Sequence, residues 1–178
     1  MDALKVIRKY YNPETKLYKL LVTHSKLVAK KAVSVAKKAK HLHPDIKFIR
    51  EAAMLHDIGI FLTNEPRLNC YGKDDYIRHG VIGRKSLEKE GFPRHALVCE
   101  RHVGVGISKQ DIIKQKLPLP KRDMIPISIE EKIICYADKF FWKKYPDKEK
   151  TISEVRKEIS RYGKDKVKRF EEMERLFT

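Results

Sequence analysis

Ala52-Ala53-Met54-Leu55-His56-Asp57-Ile58-Gly59-Ile60-Phe61 is the stretch on which the reading of this chain turns. It is built like a buried helix, yet an imidazole and a carboxylate stand side by side in it. At about 100° per residue, Ile49, Ala52, Ala53 and Ile60 share a helical face with His56. Burying these two polar groups costs free energy unless a partner satisfies them, and a metal ion is such a partner. Four further ligand-type residues, His24, His79, His102 and Asp138, lie in or beside apolar helical runs. Imidazole nitrogens and carboxylate oxygens suit iron, manganese, cobalt, nickel or zinc.

Outward from this stretch the pattern is helical throughout, and the expected class is all-α. Asn12-Pro13 offers a cap and a first-turn proline for a long helix to about Lys40. Pro44-Asp45 starts the helix carrying His56-Asp57, expected to run to about Phe61. Residues 63–73, with Asn64, Pro66, Asn69 and Gly72, read as a loop. Asp74 and Asp75 are candidate caps for a helix bearing His79, and Pro93 opens one bearing His102. Ser108-x-x-Asp111, Ser128-x-x-Glu131 and Thr151-x-x-Glu154 read as capping boxes. The second precedes the helix with Asp138, and the third precedes a final amphipathic helix over about 152–177. No strand pattern stands out. The five helices with His24, His56, His79, His102 and Asp138 can converge them on one point, as bundles do.

Length and composition narrow the class. The 178 residues suit one domain, and a hydrophobic content of 42% is ordinary for a globular chain. No apolar run approaches the roughly 18 residues of a membrane span. The start, Met1-Asp2-Ala3-Leu4-Lys5, lacks the basic-then-apolar layout of a secretory leader. Cys70, Cys99 and Cys135 are odd in number and form no Cys-x-x-Cys pair, so the expectation is a cytoplasmic protein without disulfides.

The net charge of +16 raises the question of nucleic acid. Residues 1–47 carry 12 basic and 3 acidic side chains, against 16 and 13 over residues 48–141. Lys19, Lys26, Lys30, Lys37 and Lys40 fall opposite His24 in helical projection, which describes a solvated stripe behind a core-facing helix. The solvated stripe is therefore favoured over a nucleic-acid face.

The ordered set His24, His56-Asp57, His79, His102 and Asp138, with Ile58-Gly59 completing His-Asp-Ile-Gly, resembles the HD-domain superfamily of metal-dependent phosphohydrolases. The resemblance covers about residues 17–142. It is nearest to the small two-metal group that includes diadenosine tetraphosphate hydrolases. It implies a compact helical bundle with the C-terminal helix packed on it. It also implies that His24, His56, Asp57 and Asp138 hold a primary metal, and that His79 and His102 hold a second, bridged by Asp57. Two ions are favoured over one; with one, His79 and His102 would contact phosphate or move a proton. Asp57, His79 and His102 are thus the expected catalytic residues. Arg84, Arg101 and Lys139 are candidate phosphate contacts. The implied substrate is a small phosphorylated molecule such as a nucleotide, attacked by metal-activated hydroxide. Two departures bear on substrate: Ile60 stands where many members have lysine, and His102-Val103-Gly104-Val105 replaces the His-Thr-Thr-Gly of the dinucleotide hydrolases. A di-iron oxygenase and a basic nucleic-acid-binding module with a structural metal are the alternatives.

Overall fold

The long helix α2 (Lys16–Lys38) organises the molecule, which is a computed structural model describing residues 1–145 and 148–177. Thr15, not Asn12, caps it by accepting from the Tyr18 N–H. Its buried face runs Leu21, Val22, His24, Ser25, Val28, Ala29, Ala32, Val35 and Ala36, while Lys19, Lys26, Lys30, Lys37 and Lys40 are exposed. Before it lies a short α1 (Ala3–Ile7), a feature with no strong sequence signal.

Asp45 caps α3 (Ile46–Leu55), which packs on α2. This helix is shorter than the pattern predicts. It stops before His56, and a 3-10 turn over Ile58–Leu62 follows. A small sheet then occupies the expected loop: β1 (Thr63–Glu65) pairs antiparallel with β2 (Cys70–Tyr71) and parallel with β3 (Asp74–Asp75), in the order β2-β1-β3. The strands are two or three residues long, too short to show alternation in sequence. Helices α4 (His79–Lys89), α5 (Pro93–Arg101), α6 (Lys109–Lys114) and α7 (Ile129–Asp138) follow. Asp74 and Asp75 lie in β3 and do not cap α4, which starts from a 3-10 turn at Tyr76–Arg78.

Reciprocal capping boxes form at Ser108/Asp111 and Thr151/Glu154. At Ser128 the hydroxyl accepts from the Glu131 N–H, but the Glu131 carboxylate takes the Ile127 N–H and Arg101 instead. The expected final helix is two, α8 (Ile152–Ser160) and α9 (Lys164–Phe177). They break at Gly163, whose φ of 119° is open to glycine and strained for other residues. Both halves keep an apolar face on the core through Val155, Ile159, Phe170, Met173 and Phe177.

Two apolar clusters meet inside this all-α architecture. One gathers Val28 to Ala36 of α2 with Ile133 to Ala137 of α7 and the α8–α9 face; the other gathers α1, Leu21, Leu55, Ile58 and Cys99. On α2 the buried face passes from one cluster to the other at His24-Ser25. The polar residues form a layer between two cores. None of Cys70, Cys99 and Cys135 is disulfide-bonded, and no helix among the described residues is long and apolar enough to cross a membrane.

Candidate metal centre

The six ligand-type side chains converge, and all six are buried. His24 comes from mid-α2 and Asp138 from the last residue of α7. His56 and His102 are the C-cap residues of α3 and α5, and His79 is the first residue of α4. Three histidines are held by one local device. The Nδ1–H of His56 donates to the Ala53 carbonyl, that of His79 to Tyr76 and that of His102 to Cys99, each 2.7 Å away and three residues back. A carbonyl can only accept, so this bond fixes the proton on Nδ1 and aims the Nε2 lone pair inward. For His56 and His102 it also satisfies a carbonyl that the ending helix leaves without a partner.

Glycine brings the segments close enough. A Cβ on Gly59 would stand 2.1 Å from the His79 carbonyl oxygen and 2.4 Å from the Gly83 nitrogen. The turn after Asp57 therefore packs backbone against backbone on α4, next to His79. The Tyr11 hydroxyl pins the same turn, donating to the Ile58 carbonyl at 2.6 Å and accepting from the Phe61 N–H at 3.1 Å.

Asp57 divides the centre into two lobes. Its Oδ2 lies 3.4 Å from His24 Nε2 and 3.3 Å from His56 Nε2. Asp138 Oδ1 completes that lobe, 3.0 Å from His24 Nε2 and 3.3 Å from His56 Nε2. Asp57 Oδ1 lies 3.4 Å from His79 Nε2 and 3.2 Å from His102 Nε2, and those two nitrogens are 3.2 Å apart. Atoms bound to one ion at about 2.1 Å stand about 3.0 Å apart in an octahedron and about 3.4 Å in a tetrahedron. The observed spacings match the edges of such polyhedra. Within the protein, His56 Nε2 and Asp57 Oδ1 make no well-formed hydrogen bond although fully buried. The donor set and these orphaned atoms fit divalent metal.

The electrostatics agree. Burial pushes the His24 ring down to about 4 and the His79 ring down to about 3, and it also lowers His102, so these rings are neutral donors. Burial opposes the charged form of His56 too, but Asp57 and Asp138 outweigh it and hold the ring up to about 9. A metal arriving there displaces a proton. Burial works against both carboxylates, yet Lys143 beside Asp57 and Lys139 beside Asp138 keep them well below the usual range.

The lysines divide the phosphate candidates. Lys139 Nζ sits 2.7 Å from Asp138 Oδ2 and donates to the His102 carbonyl at 3.3 Å. Arg84 is held by Glu88 and the buried Glu100, and Arg101 by Glu131, so both are committed to ion pairs outside the centre. Sequence reasoning missed Lys143, whose Nζ lies 2.8 Å from Asp57 Oδ2. It follows the end of α7 by several turning residues, beyond the reach of helical projection. Ile60 is buried in the core; the ammonium next to Asp57 comes from Lys143.

A cavity of about 970 Å³ opens onto the centre at His79, Asp138, Lys139 and Lys143. Its walls include Arg67 of the 63–73 segment, Val103 to Ile107 after α5, and residues of α8 and α9. In the aromatic run after Asp138, Phe140 and Phe141 are packed in the core, and Phe141 and Trp142 also line the cavity.

A family model for the HD domain matches residues 21–142. The chain belongs to the HD-domain family. An uncharacterized protein of Methanocaldococcus jannaschii is 39% identical over 107 residues, 60% of this chain and 56% of that protein. The tRNA (cytidine(56)-2'-O)-methyltransferase of Thermoplasma volcanium is 36% identical over 122 residues, 68% of this chain and 31% of the enzyme. That of Picrophilus torridus is 34% identical over 120 residues, covering 67% and 30%. The chain thus matches between 30% and 56% of the length of these curated relatives. Among solved structures, the HD domain of the L. monocytogenes phosphodiesterase PgpH superposes with a TM-score of 0.53 at 16% identity, over 99% of this chain and 95% of that one. Its complex with cyclic-di-AMP gives 0.55, also at 16% identity and with the same coverage. At that identity the likeness is one of fold.

Proposed function

We propose that the protein is an HD-type metal-dependent phosphohydrolase acting on a nucleotide or a related phosphate ester or anhydride. One observation carries the reading: Asp57 turns Oδ2 to His24 and His56 and Oδ1 to His79 and His102. So placed, one carboxylate would be able to serve two cations. In this reading His24, His56, Asp57 and Asp138 hold a primary ion, and His79, His102 and Asp57 a second, from among iron, manganese, cobalt, nickel and zinc. Bound there, divalent metal supplies a hydroxide near neutral pH and a positive field for the developing charge on phosphorus-bound oxygens.

The chain's own residues do the rest. The Nδ1 bonds to backbone carbonyls keep the imidazoles of His56, His79 and His102 oriented, with Nε2 turned to the centre. Lys139, anchored on Asp138 and the His102 carbonyl, places a fixed positive charge at the cavity floor. The cavity has the volume of a nucleotide-sized site, and Tyr76, Phe141 and Trp142 offer flat apolar surface at its wall. The cyclic-di-AMP complex of the PgpH domain, a nucleotide on the same fold, supports this substrate class. The reading treats residues 1–178 as one HD domain working in the cytoplasm.

The test is metal analysis of protein purified without chelator, then a phosphate-release screen across nucleotides with and without oxygen. Metal-dependent, oxygen-independent release supports the proposal. Turnover that requires oxygen and a mixed-valent iron signal contradicts it in favour of an oxygenase. Salt-sensitive RNA binding without hydrolysis contradicts it in favour of a binding module.

A further inference from the structure

Lys143 stands where a cation is wanted. Its Nζ lies 2.8 Å from Asp57 Oδ2, the same oxygen that faces His24 and His56. Asp57 is fully buried, so in the protein without metal this ammonium supplies much of the positive charge that the carboxylate needs. The two lysines of the centre differ in tethering. Lys139 belongs to the C-cap of α7 and also bonds a backbone carbonyl. Lys143 lies past the helix, between Trp142 and Lys144, and its side chain lines the cavity beside Tyr76, a side-chain partner of its ammonium whose ring centre is 6.0 Å from Nζ. A divalent ion on Asp57 repels an ammonium at that oxygen. The four-carbon stem lets the charge turn aside without moving the backbone, and the open side is the cavity through which an anionic substrate enters.

We infer that Lys143 is a placeholder cation: it neutralises Asp57 in the metal-free protein, then gives way to metal and turns its ammonium to the phosphate of the substrate. The second half rests on the phosphohydrolase reading; the first does not. The signature is a pair of opposite effects. A residue that merely supports the centre weakens both metal and phosphate binding when removed. A placeholder, once removed, frees Asp57 for metal and deprives phosphate of a partner.

The experiment uses the full chain, with Mn²⁺ and inorganic phosphate as probes. In Lys143→Gln, the first Mn²⁺ should bind several-fold more tightly to the metal-free protein, measured by titration with paramagnetic resonance. Phosphate should bind the Mn²⁺-loaded variant about tenfold or more weakly by calorimetry, the scale of a lost charge-assisted hydrogen bond. Lys143→Arg should recover most of the phosphate affinity. A second measurement needs no variant: amine acylation of the parent, read by peptide mass spectrometry. Lys143 should be protected without metal, labelled with Mn²⁺, and protected again when phosphate is added. Weaker Mn²⁺ binding in Lys143→Gln, or labelling of Lys143 that ignores Mn²⁺, overturns the placeholder role. Phosphate affinity within twofold of the parent overturns the phosphate role. If the loaded parent itself binds no phosphate, the phosphohydrolase reading falls along with that second role, while the Mn²⁺ titration still decides the first.

Discussion

The lobe of His24, His56 and Asp138 and the lobe of His79 and His102 share Asp57 and differ in charge and in setting. The first draws on two carboxylates, with His24 in the middle of a 23-residue helix and Asp138 on a helix packed against it. The second has a single carboxylate oxygen, with His79 at a helix start on the cavity wall. More negative charge and firmer anchorage should give the first lobe the tighter metal. The cavity-side position should make the second lobe the one that meets substrate. The comparison teaches how, if the proposed function holds, one shared aspartate would join a holding site to a working site.

Removing the shared residue gives the largest effect. Asp57→Ala should empty both lobes and reduce hydrolysis on the order of a thousandfold or more, since several kcal/mol of metal stabilisation go with it. Elemental analysis and turnover check this; retention of one full equivalent would show that the lobes do not depend on Asp57. His102→Ala sharpens the contrast. It should lose mainly the second ion, keep most of the first, and still lose hydrolysis steeply. Unchanged stoichiometry with lost activity would mean that His102 serves substrate and not metal.

A smaller effect tests another part of the cavity lining, where Lys166 of α9 meets Asp111 of α6 at 2.6 Å. Burial opposes ionisation of Asp111, but Lys166 and Ser108 outweigh it and lower its pKa from 3.8 to about 2. Its contribution to stability is therefore complete above pH 3.8 and fades as pH falls towards 2. Urea unfolding of the parent should show that loss, and Asp111→Asn should remove this part of the slope. The smallest effect is expected on the far face. Lys19, Lys26 and Lys30 are exposed, and replacing all three with Gln should leave turnover of a small substrate nearly unchanged. A hundredfold loss in folded, metal-loaded protein would bring the stripe into the site.

The convergence of six residues was legible because each interrupts an apolar helical run, and burying a polar group among Ile49, Ala52 and Ile60 calls for a partner. The helix ends were less legible. His56 and His102 terminate their helices by bonding a carbonyl three residues back, a competition that hydrophobic periodicity does not register. The β1–β2–β3 sheet and the break at Gly163 were missed for similar reasons, being short or a single residue inside an amphipathic pattern. Arg84 and Arg101 look like phosphate ligands in sequence because the buried partners that hold them, Glu100 and Glu131, are 16 and 30 residues away; only the exposed Glu88, one helical turn from Arg84, is visible by spacing. Lys143 was invisible because the turn after α7, not helical spacing, carries it to Asp57.

The most direct test of the shared-aspartate account is a crystal structure of the full chain soaked with excess Mn²⁺, read by anomalous scattering. The account predicts two peaks roughly 3.5–4 Å apart, one against His24, His56 and Asp138, the other against His79 and His102, with Asp57 between them. A single peak at full occupancy, or two peaks that Asp57 does not join, would contradict it.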